Sequence, residues 1–450
     1  MGMGVTIMSS FSMFSNPLMV CAVAAAAFYF CPENGFEIRV PRYVLQCIMG
    51  SGFLYGGYKI FFSKPASAVK SKFIYFSSKE TMTAQTAREY KTDKMEMTTE
   101  HPCPKVVHPN DVLVRVCAAS VNPIDHRIIA GHARPVFDQM RLQKGLPCGG
   151  AELPLVVGRD CSGVIEDVGS KVDKFKIGDE VFVAIGAEDT PGTFAEKVLV
   201  KDFMVAKKPS TVDHTKAACI PYVCTTTWGA LVGRCGLGPK STAGKRVLIL
   251  AGTGGIGTFA IQLVKAWGGH VTTTCRTDGI DLVHKLGADD VIDYAKGTIE
   301  AALAERPKFD VILVTIDPRA IAPCQSALKK GGKLVTIVVP FIDNFRKHGM
   351  LLGRMVNALL KLRWKIEDFL YDRTTMISFN RPNGGALEAA RKLIDDGKIR
   401  PVIQKTFPFE AANEALEYVK QGHARGKTVI VMPNAEKRHE GAKSEELISE

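Results

Sequence analysis

The chain has 450 residues, 46% of them hydrophobic and 23% charged, and a formal net charge of +12. That apolar content supplies sizeable cores for two or three domains and excludes a disordered chain. No dense Lys/Arg block interleaved with aromatics occurs, which excludes nucleic acid as the partner of the basic charge. The twelve cysteines are scattered with no CxxC pair, a pattern of free thiols in a reducing compartment.

Residues 1–81 read as a leader. Leu18–Cys31 is an uncharged run of 14 residues, shorter than the roughly 17–25 that span a bilayer. No basic flank precedes it, so a secretory signal is a poor fit. A second uncharged apolar run, Tyr43–Tyr58, follows. From Arg39 to Lys79 there is no Asp or Glu, but there are seven Lys/Arg and six Ser. Basic, Ser-containing and acid-free is the composition of an organelle transit peptide. The expectation is mitochondrial targeting, to the matrix or to a membrane-associated position.

Residues 82–210 are strand-rich and punctuated by Gly and Pro, with strands expected over Asp111–Val121, Gly163–Gly169 and Lys176–Ala184. Residues 211–375 alternate strands with helices. Strand candidates there are Arg246–Ala251, His270–Cys275, Val291–Tyr294, Phe309–Ile316 and Lys333–Val339. Alternation of this kind predicts a parallel sheet covered by helices. Residues 376–434 carry a helix (Gly385–Asp396) and two short strands, and are expected to return to the first domain. A charged tail, 435–450, is expected to fray. The fold class is therefore α/β, a strand-rich domain joined to a doubly wound one.

The stretch Ala251–Leu263, AGTGGIGTFAIQL, places four glycines within six residues. It follows a predicted strand and opens an apolar helical stripe, which Gly268-Gly269 ends before the next strand. This is the context in which GxGxxG binds a dinucleotide. Gly252 permits the tight turn, Gly254 lets backbone approach a pyrophosphate, and Gly257 lets the helix pack on the strand. The helix N-terminus offers unpaired N–H groups to phosphate. A site for NADH usually closes the second strand with a carboxylate on the ribose hydroxyls. Here HVTTTC ends in Arg276, and a guanidinium suits the 2′-phosphate of NADPH. The expected cofactor is NADPH.

The strand-rich region followed by this motif, with GDEV and AGTGGIG in that order, resembles the medium-chain dehydrogenase/reductase superfamily. Its zinc enzymes place Cys and His ligands where this chain has Asn122, in SVNPID, and Arg159, in GRDCSG. No four closely spaced cysteines form a structural zinc lobe. Zinc needs three or four N, S or O donors in tetrahedral array, and Cys161 with His126 does not supply them. These departures are those of the quinone-oxidoreductase-like branch. The motifs KLGADDVIDY, DGKIRPVI, KTFPFE and GHARGKTVI are similar to mitochondrial NADPH oxidoreductases of that branch linked to coenzyme Q. The likeness covers about residues 82–432.

The resemblance implies a GroES-like catalytic domain and a Rossmann domain. It implies cofactor contacts from Thr253, Gly255 and Ile256 in the turn, from Arg276 and Tyr294 at the adenosine phosphate, and from His423, Ala424 and Arg425 on the returning segment. Thr315, in VTIDPR, stands where relatives carry Asn. No metal is expected. Hydride would pass to a quinone or an activated enone, with Asn122 and Thr226 as donors to a developing oxyanion, and with Tyr222 and Asp125 as possible relays. The resemblance also implies an oligomer. A second reading stays open: an NADPH-binding scaffold that meets a reticulon-type membrane partner with little catalysis.

Overall fold

The computed structural model describes residues 80–433, apart from 133, 144–148, 151, 339 and 423. The leader, except Glu80 and Thr81, and the charged tail lie outside the described residues. Three sheets organise the rest.

A small sheet is built from β1 (Thr81–Ala87), β2 (Glu96–Pro102) and β4 (Leu155–Val156), in the order β2-β1-β4. The main GroES-like sheet contains β3 (Asp111–Val121), β5 (Asp160–Val168), β6 (Glu180–Ala184), β7 (Lys197–Lys201) and β8 (Val205–Lys207). β15 (Ile403–Pro408) and β16 (Lys427–Val431) complete it from the far end of the chain, with β16 antiparallel to β3, Val429 opposite Ser120. Alternate β3 residues, Val112, Val114 and Val116, enter one core with Ile165, Val181 and Val198.

The third sheet is parallel. It comprises β9 (Arg246–Ile249), β10 (His270–Cys275), β11 (Asp290–Asp293), β12 (Phe309–Val314), β13 (Leu328–Thr336) and β14 (Arg373–Ile377), in the order β11-β10-β9-β12-β13-β14. This is the doubly wound order whose crevice lies beyond the carboxyl ends of the central strands. Both faces are covered, as a parallel sheet requires. Val247 and Ile249 enter one core, Leu248 and Leu250 the other. The first of these cores continues into the GroES-like domain through Ala118, Phe182 and Ala184.

The helices of interest are α1 (Pro123–Ile129), α2 (Arg134–Gln143), α4 (Pro221–Thr227), α5 (Gly255–Ala266), α9 (Pro340–Leu370) and α10 (Gly384–Asp395); the shorter α3 (His214–Ala218), α6 (Ile280–Lys285), α7 (Ile299–Ala304), α8 (Ile321–Ser326) and α11 (Ala412–Lys420) complete the set. α5 stops at Gly268, whose φ of +77° only glycine adopts cheaply. Observed bounds of β3 and β10 coincide with the sequence expectation. β13 begins earlier than expected, and β14 and the long α9, interrupted at Gly349, were not among the expected elements.

Candidate functional site

The glycine turn sits at the carboxyl end of β9, the switch point of the sheet. Ala251 leaves the strand at φ +53°. Its N–H donates to Thr274 Oγ1 at 2.9 Å, and Gly252 N–H to the Thr274 carbonyl at 2.8 Å. A Cβ on Gly252 would fall 2.2 Å from Thr273 Oγ1, and one on Gly257 would fall 2.2 Å from the Ala251 carbonyl. These two glycines are demanded by packing within the protein. Gly254 differs, because a Cβ there would meet nothing nearer than 3.4 Å. Its missing side chain leaves open space, as a cradle for a bound phosphate requires. α5 begins at Gly255 with Gly254 as its N-cap, so the amides of Gly255, Ile256 and Gly257 have no intrahelical acceptor and carry the positive end of the helix dipole.

The returning segment closes on this turn. Gly426 N–H donates to the Thr253 carbonyl at 2.8 Å, and Gly254 and Gly426 form a parallel bridge. Ala424 and Arg425 lie in that segment; His423 is outside the described residues. Arg425 pairs with Asp278, just past β10. Arg276, at the end of β10, is exposed and makes no ion pair among the described residues. Tyr294 is exposed beside it, and the Arg276 charge acts on its phenol. Thr315 donates through Oγ1 to the Leu250 carbonyl at 2.7 Å, tying the ends of β9 and β12.

Asn122 and Thr226 fall into one buried polar network, but their hydrogen-bonding capacity is used within it. Asn122 Nδ2 donates to Asp160 Oδ1 at 2.9 Å and to the Ser120 carbonyl at 3.3 Å. Its Oδ1 accepts from Lys427 Nζ at 2.7 Å. Lys427 Nζ also donates to the Val121 carbonyl at 2.9 Å. Asp160 further accepts from Ser120 Oγ at 2.6 Å and from Tyr222 N–H at 3.0 Å. Thr226 Oγ1 donates to the Tyr222 carbonyl at 2.7 Å and accepts from Asn380 Nδ2 at 2.8 Å. The side chain of Lys427 lies over the first residue of α5, where a Cβ on Gly255 would fall 2.6 Å from its Cδ.

The sequence reading missed Lys427, Asp160 and Asn380. The one available signal was a lone lysine opening the apolar strand KTVIV. Burial pushes the Lys427 ammonium below its ordinary range, opposed by Asp160 and Asp125, and pushes Asp160 up, opposed chiefly by Lys427. Asp125 is held at about 7 by burial, against the pull of Arg159. Its Oδ2 accepts from Asn122 N–H at 2.7 Å, and its Oδ1 is buried without a partner. Arg159 is fully buried; Nη1 donates to the carbonyls of Asp189 at 2.5 Å and Gly186 at 3.4 Å, while Nε and Nη2 are unpaired. The Tyr222 phenol is pushed well up by burial, so it keeps its proton at neutral pH. Among the described residues no group of three His, Cys, Asp or Glu is placed to hold a metal. Cys161 is a buried thiol, raised by burial.

A GroES-like sheet joined to a Rossmann sheet, with the glycine turn at the crevice, is the architecture of the medium-chain dehydrogenases. Residues 108–210 match the alcohol dehydrogenase GroES-like domain, and residues 286–430 match a zinc-binding dehydrogenase domain. A Danio rerio protein named NAD(P)H oxidoreductase RTN4IP1, mitochondrial, is 41% identical over 342 residues, 76% of this chain and 88% of that one. The Homo sapiens protein of the same name is 41% identical over 348 residues, 76% of this chain and 86% of that one. The solved quinone oxidoreductase of Coxiella burnetii superposes with a TM-score of 0.63 at 26% identity, covering 78% of this chain and 99% of that one. The chain belongs to the medium-chain dehydrogenase/reductase superfamily and, within it, to the family of these RTN4IP1 relatives.

Two predictions follow from the site's packing. Gly254→Ala should fold as the wild type does but lose nucleotide affinity, whereas Gly257→Ala should lose about 1–3 kcal/mol of stability through overpacking. Thermal melts with and without nucleotide separate the two, and equal melts for both variants would contradict the assignment. The second concerns Asp125. Its folded pKa of about 7 lies above the unfolded value near 3.9. Its stabilising contribution is therefore fully present below about pH 4 and is lost as pH rises through 7. Asp125→Asn keeps the acceptor for Asn122 N–H and removes the titration. The difference in Tm between variant and wild type should move in the variant's favour from pH 5 to pH 8; a constant difference would show that Asp125 does not titrate there.

Proposed function

We propose that this chain is a zinc-independent, NADPH-dependent oxidoreductase of the mitochondrion that reduces a quinone or an activated enone, with a link to coenzyme Q biosynthesis. The observation that carries the reading is the charge arrangement past β10. The Asp278 carboxylate is paired with Arg425, while Arg276 has no ion-pair partner among the described residues. The first carboxylate after the strand is thus occupied, and a guanidinium is available to a dianionic 2′-phosphate. The open space at Gly254 and the amides of Gly255, Ile256 and Gly257 fit the pyrophosphate. Thr253, Ala424 and Arg425 border it, and Tyr294 stands beside Arg276. The family's names, NAD(P)H oxidoreductase and mitochondrial, support the same reading.

Bound in this cradle, NADPH supplies a hydride. The chain's own work is to orient and to exclude water. Lys427 fixes the start of α5 against Asn122, and so relates the cofactor cradle to the GroES-like sheet. Asn122 and Thr226 act as positioning residues, since their donors are already engaged. Tyr222 is the protonated group available to an oxygen that gains charge, and solvent supplies the second proton of a hydroquinone. Zinc independence is supported by chemistry at the two positions where zinc enzymes carry ligands. Asn122 directs its oxygen at the Lys427 ammonium, and Arg159 is itself a buried cation. A divalent cation there would meet two fixed positive charges.

Arg276→Ala should weaken NADPH binding by about 10- to 150-fold, because a hydrogen bond to a charged group is worth ~1.5–3 kcal/mol and ~1.4 kcal/mol is tenfold. Exposure of the pair puts the result toward the lower figure, falling further with salt. NADH binding should be nearly unchanged, and equal losses for both cofactors in fluorescence titrations would make the arginine structural. Purified protein should oxidise NADPH with short-chain quinones or enones, at a rate indifferent to metal chelators. Loss of activity on chelation would overturn zinc independence. Tight NADPH binding without turnover on any acceptor would favour the scaffold reading.

A further inference from the structure

The second part of α9, beyond the break at Gly349, has two apolar faces. Trp364 packs on the core beneath the parallel sheet, while Gly353 and Asn357 turn to the first part of the helix, where Asn357 Oδ1 accepts from Asn344 Nδ2 at 2.7 Å. The opposite face carries Leu352, Met355, Leu362, Ile366 and Phe369, all exposed, with the half-buried Leu359 among them. Their spacing alternates three and four residues and draws one stripe along the helix. At 1.5 Å per residue the stripe is roughly 25 Å long. It ends in Phe369, Leu370 and Tyr371, which are 87%, 67% and 64% exposed. A run of large side chains this exposed marks an interaction surface.

One rim of the stripe is basic. Between Asn344 and Ile366 the sequence holds Arg346, Lys347, Arg354, Lys361, Arg363 and Lys365, and no Asp or Glu. On the helical projection Arg354, Lys361 and Lys365 lie along one side of the stripe, and Arg363, on the other, is held by Glu367. Of the acids that follow, Glu367 pairs with Arg363 as well as with Arg373 on β14, and Asp368 pairs with Arg373. An isologous antiparallel contact with a second copy would set this basic rim against itself. The surface is a convex ridge rather than a groove, with aromatic side chains at its end. These features match a helix lying in the plane of an anionic membrane surface, apolar face in the acyl boundary and cations at the headgroups. No helix among the described residues is long and apolar enough to cross a membrane.

We propose that α9 is a membrane-docking helix that seats the protein on anionic phospholipid through the Leu352–Phe369 ridge. The ridge begins beside the other domain, since Arg354 Nη2 donates to Gln139 Oε1 of α2 at 3.3 Å.

The test uses the full chain with vesicles of neutral phosphatidylcholine, alone or mixed with anionic phosphatidylglycerol. The protein should sediment with the mixed vesicles and be released by salt. Lys361→Ser with Lys365→Ser should bind about 30-fold more weakly, at ~1 kcal/mol per cation near an anionic surface and ~1.4 kcal/mol per factor of ten. Circular dichroism melts establish that the variant is folded. The leader is common to every protein compared, so a direct probe is added: Phe369→Trp, read against wild type with brominated lipids. The added fluorescence should be quenched on mixed vesicles. An unquenched Trp at 369 on sedimented protein would assign attachment to the leader and overturn the proposal. So would indifference to vesicles, whether α9 then mediates a dimer or meets an acidic protein.

Discussion

The structure turns on one buried cation. Lys427 opens β16 and is removed from water, with its ammonium on Asn122 Oδ1 and the Val121 carbonyl. An isolated buried charge is prohibitively costly, so the cluster around it must be close to neutral and well bonded. It contains Lys427 and Arg159 against Asp125 and Asp160. These four side chains lie where β5, β16 and α1 meet, bonded to β3 and α4 through Ser120, Val121 and Tyr222. Because the Lys427 stem also covers Gly255, the charge cluster of one domain is fixed against the nucleotide turn of the other. Any side chain at 255 would displace that stem.

The pKa directions express the same constraint. Each member is pushed toward its neutral form by burial and pulled back by its neighbours. Removing one member therefore leaves an uncompensated charge rather than merely a missing hydrogen bond. Nε and Nη2 of Arg159 and Oδ1 of Asp125 are buried without a hydrogen-bond partner among the described residues. Polar groups left in that state are placed where a site needs them more than the fold does.

Much of this was legible in the sequence, for physical reasons. The bounds of β3 and β10 follow from uninterrupted apolar or β-branched runs between turn residues. The close packing of Gly257 on the strand follows from the strand–turn–helix context, whereas Gly252, expected to serve the turn, is required by its contact with Thr273. Lys427 was not legible, because a lysine at the start of a strand ordinarily faces solvent. Only pairing with Asn122, 305 residues away, buries it. The same holds for Thr226, a plausible donor by type whose hydroxyl is spent on its own helix and on Asn380. The ridge on α9 was hidden for the opposite reason: its apolar period reads as ordinary core until the sheet is seen to occupy the other face.

The proposed cofactor preference would belong to this class of tertiary effects. Read along the chain, Arg276 and Asp278 are near neighbours whose charges would largely cancel at an incoming phosphate. The fold separates them by bringing Arg425, 147 residues later, onto Asp278. In the proposed reading, that pair engages the carboxylate that a ribose hydroxyl would otherwise seek, and Arg276 keeps no ion-pair partner among the described residues. The segment that closes the glycine turn through Gly426 thus also sets the charge just past β10, where the adenosine end is proposed to lie. A change in the position of this one segment would alter phosphate grip and nucleotide choice together, since Gly426 and Arg425 are adjacent residues of a single strap.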